Sequence, residues 1–99
     1  MLVHCVYFYL KPEITEAQRA DFRRGLESLA GVKSADKVYV GKPAALPKRP
    51  VLDDSYSFGL TVIFKDTAAH NAYQTDPVHV AFLDKFKPFW TRVQVYDAD

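Results

Sequence analysis

Leu2-Val3-His4-Cys5-Val6-Tyr7-Phe8-Tyr9-Leu10 decides the fold of this chain. Alternate residues of a strand point to opposite faces of a sheet. One face of this run therefore carries Leu2, His4, Val6, Phe8 and Leu10, and the other carries Val3, Cys5, Tyr7 and Tyr9. Both faces are apolar, and Lys11-Pro12 ends the run. A strand of this kind needs cover on two sides. His4, moreover, sits in step with the larger apolar residues, where a solvated histidine would not be expected.

The pattern that follows alternates helix and strand signals. Thr15-Glu-Ala-Gln18 is a capping box, with Gln18 able to reach back to the cap. Ala17, Phe22, Leu26, Leu29 and Ala30 then recur at helical spacing, while Glu16, Arg19, Arg23, Arg24 and Glu27 mostly face water. Gly31 is expected to stop this helix through a left-handed turn. Lys37-Val-Tyr-Val-Gly41 reads as a second strand. Residues 42–55, with Pro43, Pro47 and Pro50, form a long loop, and a loop of that length is expected to rim a functional site.

Tyr56 to Lys65 is the third strand, with Tyr56, Phe58, Leu60, Val62 and Phe64 on one face. Asp66 caps a short helix through Ala69, Ala72 and Tyr73. Asp76-Pro77 starts another helix, with Asp as cap and Pro at the first position, where no amide donor is missed. It runs to about Lys87 before Pro88, and Arg92 to Tyr96 is the last strand. Strand, helix, strand, strand, helix pair, strand is the β-α-β-β-α-β order of a ferredoxin-like α+β fold, here one domain over residues 1–99.

Composition narrows the function classes. Lys and Arg number 13 against 12 Asp and Glu. They form no basic stripe that would release counterions from a phosphate backbone, so no nucleic-acid partner is expected. No apolar run approaches the roughly 20 residues of a membrane span. A lone cysteine, Cys5, cannot close an internal disulfide, and no signal-peptide pattern precedes the first strand; a cytoplasmic location is expected. Helices in this fold cover one face of the sheet. The apolar second face then calls for a second copy packed sheet to sheet, or for the Pro-rich loop folded across it.

Candidate site residues come from two places. His79 follows the Asp76-Pro77 start and shares a helix face with Phe82, Leu83 and Phe86. The stretch Tyr73-Gln-Thr-Asp-Pro-Val-His79 brings a phenol and an imidazole close together. Val6, Phe8, Phe22, Leu26, Phe82 and Trp90 are the expected apolar wall of a small-molecule pocket around His4, Tyr73 and His79. A helix N-terminus and apolar burial both disfavour imidazolium, which suits His79 to the role of a base. A buried histidine bonded to a backbone carbonyl and a core tyrosine would give the same pattern. His4, Asp76 and His79 could hold a metal only if all three converged, and Asp76 is better explained as a cap, so no metal is expected. Cys5 is expected to be a small packing residue and His70 to be solvated.

His4 with Leu10-Lys11, Val38-Tyr-Val-Gly-Lys42, Val62-Ile-Phe64 with Asp66, Tyr73-x-x-Asp76-Pro77-x-His79 and Phe89-Trp90 together resemble the stress-responsive dimeric α/β-barrel family, and within it the olivetolic acid cyclase branch. The resemblance spans nearly the whole chain. It implies a ferredoxin-like protomer and a homodimer built through the sheets. In the cyclase branch it implies cofactor-free intramolecular aldol condensation, with the family's histidines falling on His4 and His79 and its pocket tyrosine on Tyr73. Two positions depart: Asp76 stands where the family often has His, and Leu26 stands where the cyclase has a second pocket tyrosine. Many relatives have no assigned reaction. Three functions therefore remain: a hydrophobic-ligand carrier or sensor, a cofactor-free polyketide cyclase or lyase, and a structural dimer with no ligand.

Overall fold

The computed structural model describes residues 1–99. Its strands are β1 (Leu2–Leu10), β2 (Lys37–Gly41), β3 (Phe58–Phe64) and β4 (Trp90–Ala98), and its helices are α1 (Glu16–Ser28), α2 (Thr67–Thr75) and α3 (Pro77–Phe86). The strands form one antiparallel sheet in the order β2-β3-β1-β4, the ferredoxin-like arrangement. No helix is long and apolar enough to cross a membrane.

The alternation in β1 sets the layering. Leu2, His4, Val6 and Phe8 are buried beneath the helices, whereas Val3, Cys5, Tyr7 and Tyr9 are half-buried on the opposite face. On β3, Phe58, Leu60, Val62 and Phe64 continue the buried face. Phe22 and Leu26 of α1 are fully buried against it. Burying one such side chain contributes about 1.5–3 kcal/mol. The Phe22 ring meets those of Phe8, Phe58, Phe82 and Phe86 at centroid distances of 5.3 to 5.8 Å. Ala17 and Ala30, expected on the same face, are exposed near the two helix ends.

Capping follows the sequence closely. Thr15 accepts from the Gln18 amide at 3.1 Å, and the Gln18 side chain accepts from the Thr15 amide at 2.8 Å. Asp66 Oδ1 accepts from the Ala69 amide at 2.9 Å, and Asp76 Oδ1 from the Val78 amide at 2.8 Å. Pro77 opens α3.

Three local expectations are corrected. Gly31 does not turn left-handed, since no residue has a positive φ; α1 instead tightens into a 3-10 turn, Leu29–Gly31, and leaves it through extended Val32. β3 begins at Phe58, because Ser57 is drawn to β1: its amide donates to Phe8 O at 2.7 Å and its hydroxyl accepts from the Leu10 amide at 3.0 Å. Tyr56 consequently leaves the helix side, and its ring stands 4.8 Å from that of Tyr7 on the other face. The loop 42–55 lies away from the histidines. Val51 and Asp53 border a depression on the opposite face with Tyr7, Tyr9, Tyr56 and Tyr96.

Candidate functional site

β4 lies at the edge of the sheet, beyond the cover that α1 gives to β2 and β3. A cavity of about 180 Å³ opens there, between β1, β4 and α3. His4, Val6 and Phe8 form its floor, Tyr73, His79, Phe82 and Leu83 its roof, and Trp90, Val93 and Val95 its outer side. Leu29, Leu60 and Gln74 complete the lining. Both α2 and α3 contribute because the tight Thr75-Asp76-Pro77 junction folds α3 back beside α2, setting Tyr73 and His79 against each other with ring centres 4.5 Å apart.

His79 is nearly buried at 9% exposure, and its Nδ1–H donates to Gln74 O at 3.2 Å. With that proton committed, Nε2 is the basic nitrogen of the neutral ring. Burial lowers the His79 pKa from the usual histidine value, and the neighbouring His4 and His70 act in the same direction. The Gln74 carbonyl and Asp76 oppose this. Tyr73 is 1% exposed, and burial alone pushes its phenol well above the usual tyrosine range. Its hydroxyl therefore stays protonated and able to donate. The pair thus offers a neutral acceptor and a neutral donor side by side, on a wall that is otherwise mostly apolar.

His4 is buried on β1 and is bonded across the sheet: Nδ1–H donates to Asp97 Oδ1 at 2.5 Å. Antiparallel partners share a face, and Asp97 is the β4 partner of His4 in the register. The rings of His4 and Tyr73 are 6.1 Å apart, so His4, Tyr73 and His79 follow one another along the cavity.

Val6, Phe8, Phe82 and Trp90 line this space as expected for a pocket wall. Phe22 and Leu26 do not: α1 packs over the β2 side of the sheet, which leaves both in the core beneath the pocket rather than on its surface. Leu29, one turn farther along, reaches the wall instead. His70 is half-buried rather than solvated, its ring 5.2 Å from that of His4 and 5.5 Å from that of Phe64. Asp76 serves as the cap of α3, and it does not join His4 and His79. Cys5 faces the other side of the sheet, 3.7 Å from the Thr61 hydroxyl. Sequence reasoning missed Asp97, whose tie to His4 spans 93 residues and depends on strand register. Local periodicity carries no signal for that pairing.

The Stress responsive A/B Barrel Domain family matches residues 2–99. Olivetolic acid cyclase from Cannabis sativa is 30% identical over 95 residues, covering 95% of this chain and 91% of that protein. A Mesorhizobium loti protein, described as a dabb family protein with a ferredoxin-like fold, superposes with a TM-score of 0.79 at 25% identity, covering 99% of this chain and 94% of its own. A Thermobifida fusca protein, described as a dimeric ferredoxin-like protein of unknown function, gives a TM-score of 0.79 at 18% identity, covering 98% of this chain and 88% of its own.

Proposed function

The chain belongs to the Stress responsive A/B Barrel Domain family, and from that premise we propose that it works as a homodimer whose protomers each bind one small, mainly apolar molecule between β1, β4 and α3. The observation that carries this reading is the cavity itself: two buried histidines and a buried tyrosine on a wall of Val, Leu, Phe and Trp. A dry protein cavity of about 150 Å³ accepts benzene. A space of about 180 Å³ therefore suits one aromatic ring or a short acyl chain, with a carbonyl or hydroxyl turned toward Tyr73 and His79.

The dimer rests on the opposite face of the sheet. Val3, Tyr7 and Tyr9 are half-buried there, and Tyr39 and Tyr96 are 56% and 63% exposed. The helices lie on the other side, and Val51 and Asp53 of the loop border a depression at one end of this face. A second sheet would cover it, in keeping with the relative described as dimeric.

Heat denaturation with a series of aryl ketones and phenols tests the ligand site. Bound ligand raises the midpoint by mass action. Val95, 42% exposed on the outer side of the cavity, supplies the control. Val95→Trp should fold normally and lose the ligand-induced rise. Equal protection of both proteins would move the ligand elsewhere.

A second reading is favoured by the Tyr73–His79 pair and by the identity to olivetolic acid cyclase. In it, His79 Nε2 takes a proton alpha to a carbonyl of a linear polyketide, and Tyr73 hydrogen-bonds to the developing enolate oxygen. The enolate carbon attacks a second carbonyl in the same molecule, forming the ring bond, and the resulting alkoxide takes the proton back from His79. Product formation from candidate polyketide thioesters tests it. Ring closure that persists undiminished in His79→Ala would remove His79 from the base role.

A further inference from the structure

Three elements direct metal-binding side chains to the end of the cavity occupied by His4. His4 points from β1 toward the helix layer, its cross-strand partner Asp97 points the same way from β4, and His70 meets them from α2. The two imidazoles meet edge to face with ring centres 5.2 Å apart. One nitrogen from each ring and one oxygen of Asp97 all lie within 4.8 Å of one another. We propose that His4, His70 and Asp97 form a binding site for a divalent transition-metal ion of the Zn²⁺ class, with the remaining coordination position open.

The donor set selects the class of ion. Two imidazoles and one carboxylate suit Zn²⁺ or Co²⁺, whereas Mg²⁺ and Ca²⁺ favour oxygen donors throughout. Zinc holds such ligands at about 2.0–2.2 Å, which sets tetrahedral neighbours roughly 3.3 Å apart. The widest pair in the cluster must then close by about 1.5 Å by side-chain rotation, while His4 and Asp97, hydrogen-bonded at 2.5 Å in the metal-free chain, must open by about 0.8 Å as the ion displaces the shared proton. His4 is the fixed member, buried at 5% exposure. His70 and Asp97 are the adjustable ones. The competing contacts of His70 are exposed ones, to Asn71 Oδ1 at 3.1 Å and to the Gln74 amide at 3.2 Å; Asp97, its side chain 43% exposed, competes only through the hydrogen bond it accepts from His4, which the ion replaces. That edge of the site also gives the ion a path from solvent. A single carboxylate leaves a bound divalent ion with a net positive charge beside the cavity, where the open position could accept a ligand oxygen.

The site is independent of whether the cavity binds an organic molecule, and its test reads the metal alone. The full chain is stripped with chelator and titrated with Co²⁺ and Zn²⁺. Calorimetry gives the stoichiometry, and the visible absorption of Co²⁺ reports its coordination. The expected result is one ion per chain with the spectrum of a four- or five-coordinate nitrogen–oxygen site. His70→Ala, at a half-buried position outside the hydrophobic core, and Asp97→Asn, at an exposed one, are compatible with folding and should each weaken binding roughly tenfold or more, because changes to outer-shell partners alone cost that much. His79→Asn should keep the wild-type affinity. Absence of stoichiometric binding overturns the proposal. So does unchanged affinity in both the His70 and Asp97 variants, or a loss in His79→Asn equal to that in His70→Ala.

Discussion

Replacing Gly25 by Ala should destabilise the protein, although the same change inside most helices stabilises. Alanine is favoured over glycine in a helix interior by roughly 1 kcal/mol. At this position, however, an added Cβ would lie 2.3 Å from Phe86 Cε2 and 2.9 Å from Cδ2 and Cζ. Carbon atoms pack at about 3.5–4.0 Å, so the ring or the helix must withdraw by about 1 Å or more. Phe86 has little room to do so. It is 3% exposed and surrounded by Phe22, Phe82 and Phe89 at ring-centre distances of 5.4, 5.3 and 5.1 Å. Overpacking of this kind costs about 1–3 kcal/mol. The net loss is then about 1 kcal/mol, or a fall in Tm of about 4–8 °C for a chain of this size. Urea and thermal unfolding at one fixed chain concentration measure it, since the midpoint of any self-associating protein depends on concentration. In a double-mutant cycle, Phe86→Leu should relieve Gly25→Ala by about 1 kcal/mol. A Gly25→Ala protein with a raised midpoint and no coupling to Phe86 would show that α1 and α3 do not meet in this way. The contact matters to the site because α3 carries His79.

Three further outcomes follow from the same geometry. Because the folded state lowers the His79 pKa, the unfolded chain binds this proton more readily. Stability from this residue is therefore intact above the unfolded value of about 6.5 and is lost as pH falls through the lower folded value; urea midpoints between pH 7.5 and 5 should fall less steeply in His79→Gln. Asp76→Ala removes the acceptor for the Val78 amide and should cost about 1 kcal/mol, with weaker ligand protection as the first turn of α3 loosens; unchanged unfolding and binding would remove Asp76 from both roles. Tyr73→Phe should preserve binding of a purely apolar ligand yet lower affinity for its carbonyl-bearing analogue, and equal affinities for the pair in wild type would deny the hydroxyl that role.

Much of this arrangement was legible in local pattern. The two faces of Leu2–Leu10, the capping box at Thr15 and the Asp-Pro start before His79 all follow from backbone chemistry acting within a few residues. They were enough for the order of elements, the side of the sheet that carries His4, and the proximity of Tyr73 to His79. Features requiring the third dimension were less accessible. Phe22 and Leu26 share a helical face with Leu29, yet only Leu29 reaches the cavity, because the position of α1 over the sheet decides which part of that face lies beneath α3. His70 looked solvated from its neighbours, and its approach to His4 depends on how α2 lies against the β1–β3 region. Asp97 enters through strand register. The roles proposed for His4, Tyr73 and His79 come from the resemblance to a known family, since spacing alone left them open.

A crystal structure of the protein soaked with a small aryl ketone such as acetophenone bears most directly on the central claim. The ring should lie between Val6, Phe82 and Val95, with its carbonyl oxygen within hydrogen-bond distance of Tyr73 or His79. Ketone found only on the Tyr7–Tyr56 face, with the space beside His4 and His79 closed by its own side chains, would contradict it.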